Sequence, residues 1–339
     1  MMAAFETIKL EKGLYTTGKS FTKALEELDP SENYIGTPLE GLDAYQRQLK
    51  RFDIKVSGRG SDMVEKFFKT SDSAALFPEY VSRAVWAGVE ENNLLPNIAA
   101  TVTDIEGLDY RTITSSLSDE DNNAAHVLAE GDTIPTTNIT TTEHLVTLKK
   151  RGRMLVASYE AIRFQRLDLF TVALRQIGAY IARRQLQDAV DVLMNGDGTG
   201  NDNAITTANV ATSGTLTYAD LVDLWNSFDP YTMNAIIASP TAMAQILKLS
   251  EMRDGTAGLN FHASGNLVTP FGAQLMKSSA VTSGTLIGLD NTCALEQVQA
   301  GGILTEFDKL IDRQLERAAV TSITGFAKIY TGASKALAI

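Results

Sequence analysis

Gly13-Leu14-Tyr15-Thr16-Thr17-Gly18-Lys19-Ser20 satisfies G-x-x-x-x-G-K-[ST], the spacing of a phosphate-binding loop. That chemistry needs a buried strand feeding a glycine-rich turn whose amides and lysine cradle phosphates at a helix N-terminus. The preceding Glu6-Thr7-Ile8-Lys9-Leu10-Glu11-Lys12 is too charged for such a strand. A strand ending in a metal-binding acid is also required. Leu286-Ile287-Gly288-Leu289-Asp290 resembles one, yet lies about 270 residues downstream. A nucleotide hydrolase using Gly13–Ser20 is therefore the weaker reading.

Other chemical groups are sparse. Asn195-Gly196-Asp197-Gly198-Thr199-Gly200-Asn201 suggests a calcium loop, but position twelve of that frame is Thr206 where a bidentate glutamate is needed. His126, His144 and His262 have no ligand spacing with Cys293 or with one another. Cys293 reads as a small buried hydrophobe. There is no Gly-x-Ser-x-Gly elbow and no His-Glu-x-x-His helix. The expectation is a chain without catalytic residues, cofactor or metal.

The elements around these residues fall into three stretches. Residues 1–75 show short amphipathic pieces without a continuous core. Ser20–Leu28 is a helix stopped by Asp29-Pro30, and Leu42, Tyr45, Leu49 and Phe52 make a second stripe. This segment is expected to lie along neighbouring copies, because it lacks an apolar partner of its own. Pro78 opens the next helix, with Val81, Val85, Trp86 and Val89 as its buried stripe, and Pro96 closes it. Thr101–Ile113 and Ile139–Val156 read as two strands of a long projection whose tip carries Asp119, Glu120, Asp121, Glu130 and Asp132. An isolated hairpin is marginal in water, so this one needs a surface to lie on.

The strongest helix follows, capped by Asp168 and stopped by Asn195-Gly196. Its stripe is Phe170, Leu174, Ile177 and Ile181, continued by Leu186, Val190 and Leu193. It would span about 40 Å. Its other face holds Arg175, Arg183 and Arg184. Beyond Gly200 the pattern is compact α/β. Thr217–Asp220 is a capping-box start, Asn234–Ala238 a short buried strand, and Ser239-Pro240 a second helix start. Leu286–Leu289, Ile303–Phe307 and Val320–Tyr330 read as further strands.

Charge sharpens this division. The 339 residues carry a formal net charge of −11. Residues 76–148 hold 2 basic and 12 acidic side chains, whereas residues 149–195 hold 9 basic and 4 acidic. Adjacent blocks of opposite sign suggest a docking surface. The net charge repels nucleic acid and anionic membrane. No apolar run approaches the ~20 residues of a membrane span, and Glu6 stands where a signal peptide would be apolar.

The order of these parts resembles the major capsid proteins of tailed bacteriophages. The resemblance covers roughly residues 75–335: the acidic hairpin with Ala129-Glu130-Gly131-Asp132-Thr133-Ile134-Pro135, a basic strand, Ser158-Tyr159-Glu160-Ala161-Ile162, the long helix, the glycine-rich turn, and Phe271-Gly272-Ala273-Gln274-Leu275. The proline usual after the turn is replaced by Asn201-Asp202-Asn203. The resemblance implies an α+β Hong Kong 97-type capsid fold. Its parts would be an N-terminal arm (1–98), an extended β-hairpin loop (99–157), a peripheral domain (158–200 and 300–339) with a spine helix over 168–195, and an axial α/β domain (201–299). It implies a virion shell of self-assembled hexamers and pentamers, made in the host bacterial cytoplasm. DNA would be enclosed without sequence-specific binding, and portal, scaffolding or decoration proteins are candidate partners. The same fold implies an alternative, the shell of a bacterial nanocompartment enclosing enzymes. The expected assembly contact is the acidic tip against Arg175, Arg183 and Arg184 of a neighbour.

Overall fold

The computed structural model describes residues 8–10, 21–115, 130, 139–142, 144–158, 164–197, 204–253, 267–310 and 315–339. Helices α1 (Phe21–Leu28), α2 (Ala44–Arg51), α3 (Ser71–Ala74) and α4 (Phe77–Asn92) come first. Strands β1 (Thr101–Ile105), β2 (Ile113–Ser115), β3 (Ile139–Thr141) and β4 (Lys149–Ser158) lead to the long α5 (Leu167–Asn195). Next come β5 (Thr206–Asn209), α6 (Tyr218–Asn226), β6 (Ala235–Ala238), α7 (Pro240–Ile246) and α8 (Ser250–Arg253). Strands β7 (Gln274–Lys277), β8 (Thr285–Leu289), β9 (Leu295–Ala300), β10 (Leu304–Leu310), β11 (Leu315–Lys328) and β12 (Ser334–Ala338) finish the chain. The chain divides into two compact units.

The first unit joins the residues up to Asn92 with Gly152–Ala182 and Ile303–Ser322. Its core is Phe67, Leu76, Val81, Val85, Leu174 and Ile181, all essentially inaccessible. Phe77 stacks on Phe170 with ring centroids 6.1 Å apart. Helices α1 and α2 join this core through Phe21, Leu25, Tyr45 and Leu49. The expectation that this stripe needs a neighbouring copy is corrected for the described part of the segment: it packs into the chain's own core, with Arg83 of α4 stacked over Tyr45. Each such side chain contributes about 1.5–3 kcal/mol on burial, enough in sum to hold the segment in place. Trp86 stays partly exposed, unlike the rest of its predicted stripe.

Where α4 and α5 meet, two glycines bring backbone against backbone. A Cβ on Gly178 would lie 2.1 Å from the Val85 carbonyl oxygen, and one on Gly88 would lie 2.2 Å from that of Arg175. Helix α5 begins at Leu167, one residue before the predicted cap. Asp168 instead sits in the first turn, where it pairs with Arg166 at 2.9 Å.

The second unit joins Asn93–Arg151, Arg183–Gly302 and Ile323–Ile339. It holds a mixed sheet of order β5-β12-β8-β6-β7. Strands β6 and β8 are buried along their full length, as their unbroken apolar runs require. On one side lie Leu186, Val190 and Leu193 of α5 against Ile237, Ile287 and Leu289. On the other lie Leu221 and Leu224 of α6 and Met243 and Ile246 of α7, against Ile236 and Leu286. The predicted capping box closes: Thr217 accepts from the Asp220 amide while the Asp220 carboxylate accepts from the Thr217 amide. Ser239 caps α7 with Pro240 in its first turn.

The predicted two-stranded projection needs correction. Strand β1 pairs in parallel with β9, and β4 pairs with β11. Among the described residues of the segment, Ile113–Ser115 and Ile139–Thr141 are the stretches that pair with each other, antiparallel. Period and propensity mark the β-branched runs as strands but do not name a strand's partner.

Candidate assembly surface

The register of the β2–β3 ribbon sets Ile113 opposite Thr141 and Ser115 opposite Ile139. Ile113, Thr141 and Ile139 share one face by strand alternation. Ile113 is 55% exposed and Ile139 71%, so among the described residues this face presents two large apolar side chains to solvent. Of the five predicted tip acids, Glu130 is exposed; Asp119, Glu120, Asp121 and Asp132 lie outside the described residues.

Below the ribbon the chain is held tightly. The Thr142 amide donates to the Thr112 carbonyl at 2.9 Å, and the Val146 amide to that of Tyr110 at 2.8 Å. A Cβ on Gly325 would meet the Leu148 side chain at 2.7 Å and the Thr147 carbonyl oxygen at 2.9 Å, so residues 146–148 lie flat on β11 where it lacks a side chain. Val146, Val298 and Ala327 form a small core there. Beside it stands Glu296, buried in β9 with 5% exposure. Its Oε1 accepts from Thr103 Oγ1 at 2.5 Å and Tyr110 Oη at 2.7 Å, and its Oε2 accepts from Thr112 Oγ1. Burial first, and then the Glu296 carboxylate, push the Tyr110 hydroxyl above its ordinary pKa.

The predicted receptor arginines are all exposed on α5. They do not form one patch. Nine residues of helix are two and a half turns, which sets Arg175 and Arg184 on opposite sides of the axis. Arg175 pairs with Glu91 at 3.0 Å, and Arg184 donates to Gln187 at 2.7 Å. Arg184 faces a cleft of about 350 Å³ whose other charged walls are Lys149, Arg151, Asp188 and Asp191. Arg151 and Lys149 converge on the nearly buried Asp188 at 2.6 and 3.2 Å. Sequence reading missed this cluster, although Lys149 and Arg151 at period two and Asp188 and Asp191 at period three carried the signal.

Among the described residues, three groups that could do chemistry have structural surroundings. Asp290 accepts from the Thr232 and Thr292 amides, the Thr292 hydroxyl and Asn234 Nδ2. Burial alone would raise its pKa; those donors outweigh it and lower it. It therefore closes a turn. Burial, and the Asp290 charge, push the Cys293 thiol up and away from the reactive thiolate. His144 Nε2 sits 3.2 Å from the Asp197 carboxylate. Among the described residues no group of three or more His, Cys, Asp or Glu could hold a metal ion. Gly13–Ser20, His126 and His262 lie outside the described residues.

The sequence profile of the phage capsid protein family matches residues 141–328, more than half of the chain. This chain belongs to the phage capsid protein family. It is a shell-forming subunit of the virion, and its architecture is the Hong Kong 97-type capsid fold. Solved structures with this fold include the virus-like particle from Pyrococcus furiosus, at 13% identity and TM-score 0.52, covering 76% of this capsid protein and 98% of that chain. The capsid of a native GTA particle aligns at 14% identity and TM-score 0.52, covering 72% and 89%. Mycobacterium phage Bobi aligns at 11% identity and TM-score 0.50, covering 73% and 90%. No curated protein matches the sequence. Among the described residues no helix is long and apolar enough to cross a membrane.

Proposed function

We propose that this capsid protein closes, as hexamers and pentamers, into an icosahedral head around the double-stranded DNA genome of a tailed phage. The observation that carries the reading is the ribbon with Ile113 and Ile139 on one face, both exposed among the described residues. A two-stranded ribbon is marginal alone, and a neighbouring subunit supplies the missing surface. The net charge of −11 suits a container rather than a DNA-binding protein, since an acidic wall repels phosphate. Synthesis in the host cytoplasm and engagement of portal, scaffolding or decoration proteins follow from this role.

Within the shell, the acidic tip with Asp119, Glu120, Asp121, Glu130 and Asp132 docks across α5 of an adjacent copy, with Arg183 as the central receptor and Arg175 and Arg184 flanking it on either side of the helix. Each exposed pair is worth about 0.2–1 kcal/mol, so the contact sets register and choice of neighbour. Reversing Asp119, Glu120 and Asp121 to lysine should block assembly. Adding Arg175→Glu, Arg183→Glu and Arg184→Glu to that chain should partly restore it. Parental assembly by both proteins would contradict the docking.

The second reading is a nanocompartment enclosing enzymes, favoured by the match to a virus-like particle over nearly all of that chain. Purified particles treated with nuclease and then opened distinguish the two. Protected double-stranded DNA supports the phage head; a protein cargo without DNA supports the compartment.

A further inference from the structure

Glu296 is a buried carboxylate whose hydrogen bonds come from three hydroxyls on the segment that leads into the ribbon. Thr103 belongs to β1, while Tyr110 and Thr112 lie within the three residues before β2. Thr112 is fully buried. Burying a carboxylate is costly unless its lone pairs are satisfied. Here the donors satisfy them only while residues 103–112 follow one path. A carboxylate with three hydroxyl donors therefore penalises any departure from that path more than apolar packing would, because packing is not directional. Residues 110 and 112 also accept the amides of Val146 and Thr142, so the outgoing and returning arms of the ribbon are fixed together. Gly325 lets residues 146–148 lie directly on the same sheet.

We propose that Glu296 is a positioning residue for shell assembly: through Thr103, Tyr110 and Thr112 it fixes the direction in which the ribbon leaves the subunit body. The proposal rests on the reading of the chain as a shell subunit. The ribbon extends beyond the clamp, so a small change of angle at its root displaces its far end and misplaces it on a neighbour. The clamp sets that angle before any neighbour arrives.

The bond geometry distinguishes two substitutions. Glu296→Gln keeps an oxygen for Thr103 and Tyr110, and its amide can donate to the Thr112 hydroxyl, so the path survives. Glu296→Ala removes the acceptor that all three hydroxyls share. The experiment is hydrogen exchange on full-length unassembled subunits, followed by imaging of particles assembled from them. In Glu296→Ala the Thr142 and Val146 amides should exchange at least about tenfold faster, a change of about 1.4 kcal/mol in local opening. The Ile237 amide in the other sheet should be unaffected, and particles should become heterogeneous in diameter. Glu296→Gln should restore both slow exchange and uniform particles. If Glu296→Ala unfolds the whole chain, Tyr110→Phe removes one donor and should give a smaller acceleration at the same two amides.

Unchanged exchange at Thr142 and Val146 in these variants would overturn the clamp. Faster exchange with uniform particles would overturn its role in assembly, as would a Glu296→Gln protein that restores exchange but not particle uniformity. A parent chain that forms no shells would instead refute the proposed function, while the exchange data still decide the clamp.

Discussion

Arg47 has no solvent-accessible side chain, yet each of its bonds ends on a group placed by nearby turns. Its Nε donates to Asp29 Oδ2 at 2.8 Å, and its terminal nitrogens donate to Ser31 Oγ and to the Leu42 and Asp29 carbonyls. The Tyr34 ring lies 4.3 Å below the guanidinium, and the Tyr34 hydroxyl donates to Asp29 Oδ1. Removing one partner of a buried pair strands the other, at a cost of about 3–5 kcal/mol. Arg47→Ala should lose that much in urea unfolding, and Arg47→Lys should recover little, because an ammonium cannot reproduce the planar fork. A loss below about 1 kcal/mol would contradict the role. Lys328 differs. Burial pulls its ammonium down to about 8 against the pull of Asp197. Between pH 8 and the ordinary lysine value the unfolded chain binds more protons, so this group's destabilising effect fades as pH rises. Lys328→Met should therefore exceed the parent in stability at pH 7 by more than at pH 10, measured as thermal midpoints. An equal gap at both values would refute the burial effect.

At the scale of elements, α5 and its neighbours were legible because local patterns decide them. The stripe Phe170, Leu174 and Ile181 is buried as its spacing requires, and Thr217 and Ser239 cap where short polar side chains precede apolar periodicity. Strands β6 and β8 announced themselves as unbroken apolar runs. The parallel pairing of β1 with β9 joins Thr101 to Glu296, across a separation that no local period encodes. Edge strand β5 and its neighbour β12 are short and mixed, so composition did not separate them from loops. The Glu296 clamp was hidden because its value depends on hydroxyls scattered over residues 103–112. The Gly88 and Gly178 crossing predicts its own test: Gly178→Ala must push α4 and α5 apart, and should cost about 1–3 kcal/mol in chemical unfolding as overpacked cores do. An unchanged stability would show that the helices can separate freely. The hairpin makes a further point. Thr101–Leu148 contains no lysine, so an isopeptide cross-link from this segment lacks its amine. Mature particles boiled in denaturant should run at 36.7 kDa; a ladder of multimers would contradict this.

For the whole molecule, the proposed docking assigns cohesion to apolar packing and the choice of neighbour to charge. Residues 76–148 and 149–195 are oppositely charged blocks, and exposed charges are screened over about 8 Å at physiological salt. Assembly followed by light scattering should slow as salt rises, and the lag should lengthen most for the parent chain and least for the tip-reversed one. A rate independent of salt would remove charge from the assembly step. The most direct test of the shell itself is electron cryo-microscopy of the purified full-length protein under assembly conditions. The expected result is closed icosahedral particles built from hexamers and pentamers, each ribbon lying on an adjacent subunit. Small soluble oligomers or open filaments under every condition, with the ribbon face left in solvent, would contradict it.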